Sequence, residues 1–245
     1  MKNKFNKEEV IKYLVEGKTT KEISVIYNVN VQQIQKFIRN LELPSNVYIK
    51  HRPSKAPLSN QEIDVLIGGV LGDSWIGFTK FGKHACGSFT HKIEHSEYVY
   101  YKYNILKRLC SKPKIHNKFD KRTDRYYQQQ FCKIATNPLL DNIAFSFYKN
   151  GRKTVDKNYL SKLSPLAIAI WFMDDGCKTK SGYNIATDCF NKEESLLLVD
   201  LLKRFDIEAT SNAKNILYIV HDSKDKFTKL IEKYVPNCMK YKLHI

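Results

Sequence analysis

Apolar side chains recur through the first forty residues at the three- and four-residue spacing of helices. Val10, Ile11, Leu14 and Val15 share a face of residues 6–16, which Gly17 ends. Ile23 and Ile26 mark a short second helix entered through Thr19 and Thr20, and Ile34, Phe37, Ile38 and Leu41 mark a third over 31–43, after a tight turn at Asn28-Val29-Asn30. Periodicity then lapses over 44–60, where Pro44, Ser45, Pro53, Ser54, Pro57 and Ser59 read as a linker made basic by Lys50, His51, Arg52 and Lys55. Beyond it stand two helix-length apolar runs, Leu66–Ser74 (LIGGVLGDS) and Leu166–Gly176 (LAIAIWFMDDG). The first is entered from Ser59 with Glu62 three residues later, the spacing of a capping box.

Each run is followed by the same succession. After the first come strands over 75–81 and 84–93, a helix over 95–110, a hairpin of 114–120 and 125–136, and a helix over 138–149. After the second come strands near 177–180 and 183–189, a helix over 192–205, strands over 207–212 and 215–221, and a helix over 223–234. The pattern predicts an α+β fold of two α-β-β-α-β-β-α units, over 61–150 and 151–245, preceded by a three-helix module (1–43) and the linker (44–60). A sheet with one packed face should alternate polar and apolar positions. Ser88, Thr90 and Lys92 alternate with Phe89, His91 and Ile93, and Lys114, His116 and Lys118 alternate with Ile115 and Phe119 less cleanly. In 125–133 both faces are polar or aromatic, so periodicity leaves the outer face of that strand open.

Charge narrows the class of partner. Lys and Arg number 41 against 25 Asp and Glu, for a net of +16, and the excess is spread: 11 basic against 5 acidic groups in 1–55, 30 against 20 in 56–245. With 15 Tyr and 13 Phe, this suits a polyanion such as nucleic acid. No apolar run reaches membrane-spanning length, and the N-terminus lacks the apolar centre of a signal peptide. Six widely spaced cysteines without a C-x-x-C pair read as reduced thiols, which points to a cytoplasm-like or organelle-matrix compartment.

The candidate chemistry lies at the ends of the two apolar runs, in Asp73 before Ser74 and Asp175 before Gly176. A carboxylate at a helix C-terminus meets the negative end of the helix dipole, so two such acids ask for a cation or for solvent. Gly68 and Gly72, one turn apart, cost helix stability of about 1 kcal/mol each relative to Ala, which close approach of a second helix would offset. Asp174 competes with Asp175, but neighbours on a helix point about 100° apart, so only one is expected to face a partner helix. His91 and His95 are four apart, yet they straddle a strand-to-helix junction and are not expected to ligate a metal together.

Both runs resemble the signature of the LAGLIDADG homing endonucleases, in the branch that carries two motif copies on one chain. The likeness spans residues 58–245, with the motif's last acid at Asp73 and at Asp175. The first copy departs from the pattern in having Gly69 where a larger residue is usual and Ser74 in place of the final Gly. The resemblance implies paired motif helices, a pseudo-two-fold saddle of antiparallel sheets on DNA, and Asp73 and Asp175 holding divalent cations at the scissile phosphates. Hard oxygen ligands favour Mg²⁺. It also implies ligation by the main-chain carbonyls of Gly72 and Asp174, and basic residues near the metals at Lys153 and Lys242. By the same resemblance Ser88, Thr90, Lys92, Lys114, His116 and Lys118 would face the groove.

The three N-terminal helices resemble a helix-turn-helix, whose last helix would offer Gln32, Gln33, Gln35 and Lys36 to DNA. The expected activity is therefore Mg²⁺-dependent, site-specific cleavage of both strands of a long DNA target by a monomer, as in intron homing. Two alternatives stand beside it: an RNA-binding intron maturase of the same fold, and a non-catalytic DNA-binding regulator.

Overall fold

The computed structural model describes residues 5–16, 18–41 and 56–245. The basic linker residues up to Lys55, and Gly17, lie outside the described residues. Among those described, no helix is long and apolar enough to cross a membrane.

Three short helices open the chain: α1 (Lys7–Val15), α2 (Thr20–Ile26) and α3 (Val31–Arg39). Asn6 caps the first, and reciprocal capping boxes, Thr19 with Glu22 and Asn30 with Gln33, fix the starts of the others. Val10, Leu14, Ile23, Ile34, Ile38 and Leu41 form a core of their own. Val15 and Ile26, expected inward, are 44% and 48% exposed, because two- and three-turn helices bury one narrow stripe each. Gln33 folds its carbonyl oxygen back onto the Asn30 N–H, whereas Gln32 and Lys36 are exposed and Gln35 is half-buried.

The rest is built on α4 (Asn60–Leu71) and α8 (Pro165–Asp175), which pack side by side. Ser59 and Glu62 form the capping box that the sequence predicts. Nearly every residue of α8 is buried, and each large aliphatic or aromatic side chain so placed contributes about 1.5–3 kcal/mol.

After α4 follow β1 (Trp75–Gly77), β2 (Cys86–Lys92), α5 (Ser96–Ile105), β3 (Lys114–Asp120), β4 (Arg125–Ile134) and α6 (Asp141–Phe147). A hairpin of β5 (Tyr148–Lys149) and β6 (Arg152–Lys153) and a short α7 (Lys157–Leu160) lead to α8. The second half repeats the order with β7 (Gly176–Lys178), β8 (Tyr183–Ile185), α9 (Lys192–Lys203), β9 (Ala209–Ser211), β10 (Leu217–Ile219) and α10 (Lys224–Ile231), then a 3₁₀ turn over Asn237–Lys242. Both sheets are antiparallel with equivalent strand orders, β1-β2-β4-β3 and β7-β8-β10-β9. The fold is the duplicated α+β architecture expected from the sequence.

The helix expected over 138–149 ends at Phe147 instead. Asn150 and Gly151 both take positive φ, 52° and 76°, the two left-handed residues that a tight two-residue hairpin needs. That hairpin carries Lys153.

Candidate functional site at the paired helices

The α4/α8 contact is a backbone-to-backbone approach. A Cβ at Gly68 would fall 2.4 Å from the Ala167 carbonyl oxygen, and one at Gly72 would fall 2.4 Å from the Asp174 Cβ. At the other end of the pair, Asp64 on α4 accepts from the Ser164 N–H (3.0 Å) and hydroxyl, and so holds the N-terminus of α8. The departures in the first motif explain each other. Ser74 is buried, its N–H donates to the Gly69 carbonyl, and its hydroxyl oxygen lies 2.5 Å from where a Gly69 Cβ would be. Gly69 thus makes room for the side chain that replaces the motif's final glycine.

Asp73 follows the end of α4 and Asp175 ends α8. Asp73 is open to solvent on one side and Asp175 is half-buried. Burial, with the neighbouring Asp174 charge, raises the pKa of Asp73. Burial, followed by the charges of Asp73 and then Asp174, lifts Asp175 to about 7. The two motif acids therefore stand within electrostatic reach of each other, and at neutral pH Asp175 is poised between its protonated and ionised forms.

Lys153 and Lys242 supply the cations that the helix ends call for. The Lys153 ammonium donates to the Gly72 carbonyl at 2.7 Å, and Lys242 donates to the Met173 and Asp174 carbonyls at 2.6 and 3.2 Å. One lysine thus sits at the negative end of each motif helix. The carbonyls of Gly72 and Asp174, expected as metal ligands, accept from lysine in this structure. Burial lowers the pKa of Lys242, against the raising effect of Asp174, Asp73 and Asp175.

The resemblance selects Asp175 as the acid that faces the partner helix, whereas in the structure Asp174 lies against it. The Asp174 side chain is fully buried. Its Oδ1 accepts from the Tyr98 hydroxyl (2.8 Å) and Lys102 Nζ (3.1 Å), and its Oδ2 accepts from the Asp73 N–H (3.2 Å). Lys102 is itself fully buried, bonds His91 Nε2 at 2.9 Å, and lies 4.8 and 4.5 Å from the ring centres of Phe89 and Tyr98. Burial, then the nearby Lys102 charge, pushes His91 down to about 3, so it is neutral and its Nε2 accepts from Lys102. Atoms of Asp73, His91 and Asp174 lie within 4.8 Å of one another and have the spacing of a metal cluster. The Lys102 ammonium, however, is already the cation between His91 and Asp174. His95 takes no part and stacks on Tyr241.

Strand register settles which residues share the sheet's outer face, since opposed residues of an antiparallel pair lie on one side. Ser88, Thr90 and Lys92 oppose Lys133, Phe131 and Gln129, and Phe131, Gln129 and Tyr127 in turn oppose Lys114, His116 and Lys118. The six residues expected on one face therefore do share it, joined by alternate residues of β4. On the other face Phe89, His91, Gln130 and Cys132 are buried. In the second sheet the corresponding outer positions are Asn184, Tyr218 and Thr210, which periodicity in such short strands did not single out. All six cysteines are free thiols.

The paired helices thus bring two carboxylates, Asp73 and Asp175, and two lysines, Lys153 and Lys242, to one end of the helix pair, beside two antiparallel sheets. The chain belongs to the LAGLIDADG DNA endonuclease family, whose model matches residues 63–230. It is 27% identical to the DNA endonuclease I-ChuI of Chlamydomonas applanata, over 76% of this chain and 95% of that protein. It is 29% identical to the cytochrome b mRNA maturase bI2 of Saccharomyces cerevisiae, over 76% of this chain and 48% of that one. Among solved structures, the homing endonuclease I-WcaI bound to its DNA recognition sequence superposes with a TM-score of 0.70 at 25% identity, covering 77% of this chain and 88% of that chain.

Proposed function

We propose that the chain is a monomeric homing endonuclease that cuts both strands of a long, specific DNA site, with one motif aspartate and one lysine serving each half. The observation that carries this reading is the convergence of Asp73, Asp175, Lys153 and Lys242 at the C-terminal ends of two helices in backbone contact.

The donor set suits a hard divalent cation such as Mg²⁺. Asp73 and Asp175 are crowded anions with raised pKa values, and neither accepts a bond from Lys153 or Lys242, which are engaged on carbonyls. Asp73 and Asp175 would hold such an ion, which when bound supplies an activated water and offsets charge on the scissile phosphate. Asp174 is excluded from that set by its bonds to Tyr98 and Lys102, and instead fixes the main chain at Asp73. Lys153 and Lys242 bring positive charge to the same edge, where a phosphate would be steadied as its charge increases. Ser88, Thr90, Lys92, Lys114, His116 and Lys118, with Gln129 and Lys133 of β4, would lie along the groove. The α1–α3 unit would add a second contact through Gln32, Gln35 and Lys36 of a helix-turn-helix, Gln33 being committed to its cap.

The test is cleavage in Mg²⁺ of a supercoiled plasmid carrying the uninterrupted sequence of the gene's own locus. Linear product with fixed ends supports the reading, and intact plasmid refutes it. The likeness to cytochrome b mRNA maturases favours a second reading, an intron maturase on the same fold. Splicing of the host group I intron without cutting of the plasmid would establish that one instead.

A further inference from the structure

The two site lysines lie at equivalent places, each on a short segment after the last helix of a repeat, Lys153 after α6 and Lys242 after α10, and each segment is bonded to an acid from the other repeat. Lys153 is flanked by Arg152 and Thr154. Arg152 donates to both oxygens of Glu194 at 2.7 and 3.0 Å, and the Thr154 hydroxyl donates to the same carboxylate. Glu194 is buried in the first turn of α9, in the second repeat. Lys242 ends the 3₁₀ turn that begins at Asn237. The N–H groups of Asn237 and Cys238 donate to Glu97 at 3.3 and 2.9 Å, and Glu97 lies in the first turn of α5, in the first repeat. The helices α5 and α9 occupy equivalent places in the two repeats, so the arrangement is reciprocal.

We propose that Glu97 and Glu194 are positioning residues for Lys242 and Lys153 respectively, each acting across the two halves. The inference rests on the reading of those lysines as site residues. Neither acid touches the site: Glu194 acts through the neighbours of Lys153, and Glu97 through the start of the turn that ends at Lys242. Because the clamps are separate, loosening one frees one lysine and leaves the other in place. A loss of general stability would instead affect both together.

The test uses the full chain, first without metal or DNA. Side-chain ammonium signals of Lys153 and Lys242 are followed by NMR, since a bonded, half-buried ammonium exchanges slowly with water. Arg152→Met leaves the α9 cap intact and is expected to remove the Lys153 signal while keeping that of Lys242; Glu97→Ala is expected to do the reverse. Signals lost together, signals unchanged in both variants, or neither signal visible in the unmodified chain overturns the proposal. The strand-resolved rate on the plasmid then gives a second readout. Each variant is expected to accumulate nicked circle, cut on opposite strands, with the slowed strand down roughly tenfold to hundredfold. Equal slowing of both strands counts against the proposal. An unmodified chain that cuts neither strand counts against the nuclease reading, and the ammonium result stands apart from it.

Discussion

The main-chain N–H of Asp73 donates to the side chain of Asp174 across the helix pair, at 3.2 Å, so the acid beside one motif aspartate holds the backbone of the other. Position 72, the counterpart of Asp174 in the first motif, is glycine, and its lack of a side chain is what admits the Asp174 Cβ. The two halves are therefore duplicated in fold but unequal at the contact. All the charge of the buried cluster comes from one acid of the second half and one lysine of the first.

That inequality has an energetic consequence. Lys102 is the counter-ion of a carboxylate with no access to water, and removing one partner of such a pair leaves an unpaired buried charge. Lys102→Met is expected to lower stability by about 3–5 kcal/mol. The double variant Lys102→Met, Asp174→Asn is expected to recover more than half of the loss, measured by chemical unfolding. A double variant no more stable than Lys102→Met would show that packing, not charge, sets the cost.

The pairing of Gly69 with Ser74 can be tested by a double-mutant cycle. Gly69→Ala alone puts a methyl group against the Ser74 side chain and is expected to cost about 1–3 kcal/mol, as overpacking does. In a Ser74→Gly background most of that cost should disappear, giving a coupling of at least about 1 kcal/mol. Additive effects would contradict the mutual accommodation.

Asp175 makes stability depend on pH with a defined sign. Its pKa in the folded chain, about 7, lies above the ordinary carboxylate value of 3.8. Between those values the folded state keeps a proton that the unfolded chain has released, so stability falls as pH rises through that window. Asp175→Asn is expected to stabilise the protein at pH 8 by about 1–2 kcal/mol, allowing for screening at a half-buried group, and to gain nothing near pH 4. Millimolar Mg²⁺ at pH 8 should raise the melting temperature of the unmodified chain and not that of the variant. The same gain at both pH values would remove Asp175 as the source.

Much of this arrangement was legible in the sequence. Leu66–Ser74 and Leu166–Gly176 stand out because an apolar run ending in an acid is rare, and Gly68 and Gly72 announce a close helix neighbour. The Asn150-Gly151 dipeptide is a strong short hairpin signal that a reading led by the apolar spacing of 138–149 passes over. The buried cluster was not legible. Lys102 sits among tyrosines in α5 and reads as a solvated position, and only Asp174, 72 residues later, makes its burial tolerable. The face of β4 was hidden for a different reason. The tip of the β3–β4 hairpin extends beyond the core, leaving Ile115, Phe119 and Tyr126 exposed on the side opposite the basic residues, and only register separates the two sides.

If the sheet face that carries Lys92, Lys114, Lys118 and Lys133 lies on DNA as proposed, binding should fall steeply with salt. With six or more phosphates neutralised, affinity is expected to drop about 10³-fold between 50 and 200 mM salt. Removal of residues 1–55 should flatten that slope and weaken binding without abolishing cleavage. A salt-independent affinity would rule out an extended footprint, and a truncated chain that folds but no longer cuts would refute a separable N-terminal contact.

The most direct measurement is strand-resolved cleavage of the uninterrupted host-locus sequence in Mg²⁺ by the unmodified chain, Asp73→Asn, Asp175→Asn and Asp174→Asn, with DNA affinity measured alongside. Asp73→Asn and Asp175→Asn are expected to bind the target with affinity within about threefold of the unmodified chain and to lose cleavage by at least about 10³-fold, the loss that follows removal of a metal-holding carboxylate. Asp174→Asn leaves Lys102 without its counter-ion and is expected to be less stable, but assayed at a temperature where it stays folded it should bind and retain measurable cutting. Undiminished cleavage by either Asp73→Asn or Asp175→Asn would contradict a site built from the two motif aspartates.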